Sequence, residues 1–142
     1  MQPPDSSCGA LRILVADDFA DSAVSLKILL TLWGHEVIVV HWGREALAVA
    51  QIFRPQVVLL DFELPDLNGG DVAKGLRQLP GFERVLIVAI TGHDQDEESF
   101  QSYLKLFDHC LRKPFNLTEL ERLLAAYSIV ADPGTSPGEA GT

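Results

Sequence analysis

The sequence predicts an α/β protein built as a doubly wound, five-stranded parallel sheet, and three observations carry that expectation. Short apolar runs alternate with segments of helical spacing along the whole chain. The apolar runs are continuous, without polar alternation. The helical segments stop at Gly or Pro. A strand with one wet face alternates apolar and polar residues, whereas a strand covered on both faces reads as an unbroken apolar run, the mark of a parallel sheet. Strand–helix alternation with right-handed crossovers then places helices on both sides of that sheet.

Taken in order, residues 1–10 are polar and contain Pro3 and Pro4, which predicts a flexible lead-in. LRILVA (11–16) is the first strand, and Asp21 to Trp33 the first helix, closed by Gly34 as a C-terminal cap. EVIVV (36–40) is a strand, and Gly43 to Phe53 a helix ended by Pro55. QVVLL (56–60) is a strand, and Gly70 to Leu79 a helix ended by Pro80. RVLIVAI (84–90) is a strand, and Asp94 to Leu106 a helix whose first turn gathers Asp94, Asp96, Glu97 and Glu98, where the helix dipole favours acids. HCLR (109–112) is a short strand. Asn116 caps a fifth helix that runs to Tyr127, with Glu119 three residues on completing a box-like start. The reading is (βα)5: one domain over 11–128, followed by a tail, 129–142, whose Gly, Pro, Ser and Thr content predicts disorder.

Composition narrows the function. The 142 residues are 47% apolar and 22% charged, enough for one well-cored globular domain. The net charge of −9 argues against nucleic acid as a direct partner, since phosphate binding needs a basic surface. No apolar run reaches the ~18 residues of a membrane span. MQPPDSS before Cys8 has no apolar segment, so neither a signal nor a lipoprotein leader is expected and the expected compartment is the cytoplasm. Cys8 and Cys110 read as two free thiols in a reducing compartment.

Parallel strands share one C-terminal edge, and the polar residues there form a set: Asp17 and Asp18 after the first strand, Asp61 after the third, Thr91 after the fourth and Lys113 after the fifth. Ligands of open parallel sheets bind at this edge. If strands one and three are neighbours, their ends lie about 5 Å apart, and three ionised carboxylates so close repel one another unless a cation sits among them. Oxygen donors without His or Cys at ligand spacing point to a hard ion such as Mg²⁺. On this reading Asp61, at the tip of an apolar strand, is held by a metal and by Lys113.

At these residues the chain resembles a receiver domain of two-component response regulators. The motifs are ILVADD (13–18), VVLLDFELPDLNG (57–69), VAITG (88–92) and LRKPF (111–115), and the likeness covers about residues 11–127. The resemblance implies the flavodoxin-like strand order 2-1-3-4-5. It implies Asp61 as phosphoacceptor from a phosphohistidine, with Mg²⁺ (or Mn²⁺) held by Asp17, Asp18, Asp61 and the backbone carbonyl of Glu63. It implies phosphoryl contacts from Thr91 and Lys113, a cis peptide before Pro114, and His93 and Glu63 at the mouth of the site, where such residues tune hydrolysis. Gly92 would leave the in-line approach open. The partner implied upstream is a histidine kinase or histidine phosphotransfer protein. Downstream it is an unidentified protein met on the face of the fourth predicted helix, fifth strand and fifth predicted helix, or a second copy in a homodimer. With no output domain in view, the chain is expected to act as a stand-alone regulator or as the receiver piece of a hybrid kinase, and not as an enzyme.

Three residues depart from the family pattern. Cys110 stands where a switch aromatic is common, Leu106 where a glycine often ends the fourth helix, and Trp42 where a small polar residue is usual. The competing expectations are a phosphorylation-independent interaction module and an aspartyl-phosphate phosphatase using Glu63 as general acid. A flavin or nucleotide protein of the same shape is disfavoured because ADDFADS, after the first strand, is acidic.

Overall fold

A computed structural model describes residues 10–92, 103–113 and 115–131. Five strands, β1 (Arg12–Ala16), β2 (Glu36–Val40), β3 (Val57–Asp61), β4 (Leu86–Thr91) and β5 (His109–Arg112), form one parallel sheet in the order β2-β1-β3-β4-β5. Four α-helices lie among the described residues: α1 (Ala20–Leu32), α2 (Gly43–Phe53), α3 (Gly69–Arg77) and α4 (Leu117–Ala131). Most of the fourth predicted helix (94–106) lies outside the described residues, as do the lead-in 1–9, His93, Pro114 and the tail from 132 onward. The described end of that segment is a 3-10 turn, Leu104–Leu106, and Leu106 closes it without a left-handed backbone.

The three inner strands, β1, β3 and β4, are buried on both sides, and the period of two assigns each residue to a side. Leu14, Ala16, Val58, Leu60, Ile87 and Ala89 pack with Ala46, Ala50, Val72, Ala73 and Leu76 of α2 and α3. Ile13, Val15, Val57, Leu59, Val88 and Ile90 pack with Leu26 and Leu30 of α1 and Leu120 and Leu124 of α4. At β3, the central strand, all five residues are buried.

Helix ends follow local chemistry. After α1, Gly34 takes φ +100°, its N–H donates to Thr31 O at 2.9 Å, and the His35 N–H donates to Leu30 O at 3.1 Å. This is the paired closure that a glycine just past a helix permits. α2 ends differently. Arg54, at φ 54°, is the one non-glycine residue with positive φ among the described residues. Its guanidinium lies 4.8 Å over the Phe82 ring and donates to Pro80 O at 3.1 Å, contacts that offset the left-handed backbone. The strand expected from Arg84 begins two residues later, at Leu86. Arg77 Nη1 takes the Val85 carbonyl at 2.8 Å, so that carbonyl is used in the turn and not in a ladder. Asp108 locks the same corner, accepting from Arg77 Nη2 and from the Ile87 N–H, each at 2.7 Å. No described helix is long and apolar enough to cross a membrane.

One half-buried histidine gives the fold a pH dependence. The Leu11 N–H donates to His35 Nδ1 at 3.1 Å, so that nitrogen must be unprotonated, and burial holds the imidazole below its ordinary pKa of 6.5. With the folded value depressed, the contribution is complete above pH 6.5 and is lost as pH falls from there through the folded pKa. The expected result is a thermal midpoint that drops between about pH 7 and about pH 5.5 more steeply for the unmodified chain than for His35→Asn, whose amide oxygen accepts the same bond without titrating. Parallel curves for the two proteins would remove His35 as the cause.

Candidate functional site

The strand order makes β1 and β3 neighbours, with Ala16 opposite Leu60. One step further along each strand brings Asp17 beside Asp61. Carboxylate oxygens of Asp17, Asp18 and Asp61 all lie within 4.8 Å of one another. Asp17 and Asp61 are buried, whereas Asp18 is exposed. Lys113, carried in from the end of β5, places its Nζ 3.1 Å from Asp61 Oδ2. The Glu63 N–H donates to Asp61 Oδ1 at 3.0 Å, so both oxygens of Asp61 are engaged.

The backbone around this cluster is held by neighbours that the sequence motifs explain. Phe62 N–H donates to Ile90 O at 2.9 Å and Gly69 N–H to Phe62 O at 2.6 Å, folding the loop after β3 back on its own start. A Cβ at Gly69 would sit 2.7 Å from Phe62 Cα and 3.0 Å from Asp61 O, so this approach behind Asp61 needs a glycine. Thr91 ends β4 with 1% exposure, and its carbonyl accepts the Lys113 N–H at 2.8 Å, which ties the lysine loop to the threonine. A Cβ at Gly92 would meet open space, leaving the approach to the site clear. Asp17 Oδ1 accepts from the Phe19 N–H and Oδ2 from the Ser22 hydroxyl, both at 2.9 Å.

Burial pushes the Asp61 carboxyl above its ordinary 3.8, and Asp17 pushes the same way; the Glu63 amide and Lys113 pull against them without cancelling the rise. Among the described residues, three acids face one contacting cation, which leaves the site short of positive charge. All the side-chain donors are hard carboxylate oxygens, a set that suits a divalent ion such as Mg²⁺. The open space beside the cluster fits this. A pocket of about 440 Å³ is lined by Asp18, Asp61, Glu63, Gly92 and Lys113. Next to it runs an apolar groove of about 950 Å³ between α1 and the β5–α4 loop, lined by Phe19, Leu26, Ile90, Phe115 and Leu117.

Of the residues singled out from sequence, Asp17, Asp18, Asp61, Thr91, Gly92 and Lys113 gather at this edge, and Glu63 lines its mouth. Cys110 does not reach the acids. It is half-buried on β5 against the α2–α3 side of the core, and burial raises its thiol pKa, which lowers the reactive thiolate fraction. Trp42 is 53% exposed at the start of α2. Sequence reading passed over Asp66, which accepts from the Gly43 and Arg44 N–H groups at 2.6 and 2.9 Å and so caps α2 from another loop. It also passed over His41, whose Nδ1 lies 2.8 Å from the Asp17 carbonyl. Neither pairing has a local sequence signal.

Comparison with known proteins agrees with this geometry. The chain is 36% identical over 115 residues to the transcriptional regulatory protein KdpE of Mycobacterium tuberculosis, a match covering 80% of this chain and 50% of KdpE. The chain thus spans about half the length of that relative. A response regulator receiver domain (CheY-like) from Methylobacillus flagellatus superposes with a TM-score of 0.74 at 30% identity, covering 82% of this chain and 97% of that one. The receiver domain of the sensor histidine kinase PA1611 from Pseudomonas aeruginosa, with a magnesium ion coordinated in its active site cleft, superposes at 0.76 with 27% identity over 84% of this chain and 98% of that one. The model of the response regulator receiver domain matches residues 13–125, and with the acids, the threonine and the lysine gathered at one sheet edge, the chain belongs to that family of two-component signalling domains.

Proposed function

We propose that this chain accepts a phosphoryl group on Asp61 from a phosphohistidine, in a Mg²⁺-dependent reaction, and passes the signal to a partner protein by a shift in conformation. The observation that carries the reading is the 3.1 Å pair between Lys113 and an Asp61 that shares its surroundings with two further carboxylates. Mg²⁺ (or Mn²⁺), held by Asp17, Asp18, Asp61 and the backbone carbonyl of Glu63, supplies when bound the positive charge that the phosphoryl oxygens require.

The chain's own residues do the rest. An Asp61 oxygen bonds to phosphorus as the P–N bond to the donor imidazole breaks. The bonding pair leaves on that nitrogen, which takes a proton from water. Lys113 offsets charge on the transferred group, and the Thr91 hydroxyl donates to one of its oxygens. Gly92 keeps the line of approach free, and Glu63 at the mouth sets how readily water removes the phosphoryl group; the resemblance assigns the same tuning role to His93, which lies outside the described residues. The apolar groove beside α1 favours a protein donor, a histidine kinase or histidine phosphotransfer protein, because a small phosphate ester has no use for it. The product adds roughly −1.5 to −2 charges to the edge if it behaves like other phosphoresidues. Thr91 and Lys113 then move toward it, and the face that includes β5 and α4 changes shape for a downstream protein. Cys110 cannot sweep the volume of an aromatic, so switching must use another side chain. The net charge of −9 keeps nucleic acid outside the reading, and the expected compartment is the cytoplasm.

Acetyl phosphate with Mg²⁺ should add one phosphoryl group per chain, read by intact-mass spectrometry, and none without divalent ion. Asp61→Asn should abolish the addition. Labelling that persists in Asp61→Asn sinks the assignment.

A further inference from the structure

The geometry points to His41 as a positioning residue of the acidic site: its imidazole N–H holds the peptide that joins Asp17 to Asp18 in the orientation a divalent cation requires. The inference rests on the receiver reading above and deepens it. His41 Nδ1 lies 2.8 Å from the Asp17 carbonyl oxygen. A carbonyl only accepts, so Nδ1 carries the hydrogen and the imidazole donates.

The effect on the site follows from the peptide plane. The Asp17 N–H donates to Val40 O at 3.0 Å, the last rung between β1 and β2. Beyond it the sheet no longer fixes the chain, and the next peptide, Asp17 C=O to Asp18 N–H, is free to turn about its two flanking bonds. Rotation about the Asp17 Cα–C bond would swing the Asp18 Cα, and so the exposed Asp18 carboxylate, away from Asp61. The His41 bond removes that freedom. Both backbone polar groups of Asp17 are then held from the end of β2, and both its carboxylate oxygens are oriented by Phe19 N–H and Ser22. Asp18 has no comparable side-chain restraint among the hydrogen bonds described, so its position depends on the peptide before it.

His41 is itself anchored independently of its ring. Its N–H donates to Glu45 Oε1 at 3.1 Å at the start of α2. Changing the imidazole therefore leaves that backbone fixed and isolates the side-chain bond. Partners that orient metal ligands from outside the ligand set typically contribute about 10–100-fold in metal affinity.

The test is an Mg²⁺ titration of the full chain followed by backbone amide shifts, for the unmodified protein, His41→Phe and His41→Asn. Phenylalanine keeps a ring and loses the donor. Asparagine places an amide N–H where Nδ1 stood. The expected result is a Kd about 10–100-fold weaker for His41→Phe and largely recovered for His41→Asn, with amide spectra of both variants showing an intact fold before metal is added. Equal affinity in the unmodified chain and His41→Phe overturns this inference alone. An His41→Asn as weak as His41→Phe overturns the hydrogen bond as its cause. If the unmodified chain shows no saturable response to Mg²⁺, the receiver reading fails and this inference with it.

Discussion

Leu59→Ala and Leu60→Ala should each lower the unfolding free energy by about 2–5 kcal/mol, through lost transfer energy and the cavity left behind. Both residues are fully buried on β3, yet they belong to opposite sides of the sheet. Leu59 packs toward α1 and α4, and Leu60 toward α2 and α3. Neighbouring residues in a strand with one wet face would give one large loss and one small one. Two large losses in succession are the energetic signature of a sheet covered on both faces. Leu32→Ala, at a position 77% exposed, is the control and should fall within about 0.5 kcal/mol of the unmodified chain. Denaturant unfolding of the three variants measures the set. Since a domain of this size holds only about 5–15 kcal/mol in total, either core variant removes a large share of it. A small loss at Leu60 alone would mean that α2 and α3 do not seal their side.

How far the sequence could be read depended on whether each feature was local. The inner strands β3 and β4 were legible because burial on both faces leaves no polar residue inside them. Gly34 was legible as a helix end because only a glycine takes φ +100° at no cost. The acids, Thr91 and Lys113 were legible because a parallel sheet delivers every strand end to one edge whatever the strand order. Features that depend on two distant segments meeting were not legible. Asp66 reads as a turn residue after Pro65, and only the packing of the β3–α3 loop against α2 turns it into a cap. Arg54 reads as a plain helix-ending residue before Pro55; its left-handed backbone is tolerable because Phe82 and the Pro80 carbonyl wait for its guanidinium. Arg77 and Asp108 stand 31 residues apart and announce nothing until β4 and β5 pair. The start of β4 was misplaced for the same reason, since the residue that claims the Val85 carbonyl comes from α3.

Without divalent ions, Asp61→Asn should unfold at a higher temperature than the unmodified chain, and saturating Mg²⁺ should reverse the order. The Asp61 carboxyl is raised above 3.8 in the folded protein, burial being the largest cause, so the folded state holds that proton more tightly than the unfolded one. Stability therefore falls as pH rises from 3.8 through the folded value, because the ionised form carries the cost of burial. Asparagine removes the charge, and its amide oxygen still accepts the Glu63 N–H. Lys113 loses its partner, but with 37% of its side chain exposed it can turn to water. Mg²⁺ acts on the unmodified chain by mass action, adding about 2.7 kcal/mol when its concentration is 100 times Kd, and acts much less on a variant that lacks one of three carboxylates. Thermal unfolding at neutral pH with chelator and with Mg²⁺ measures both halves. Were the pair between Lys113 and Asp61 a structural ion pair and nothing more, Asp61→Asn would be the less stable protein under both conditions, because breaking such a pair strands a charge. The sign of the metal-free difference thus separates a site built to bind a cation from a bond built to hold two strands together.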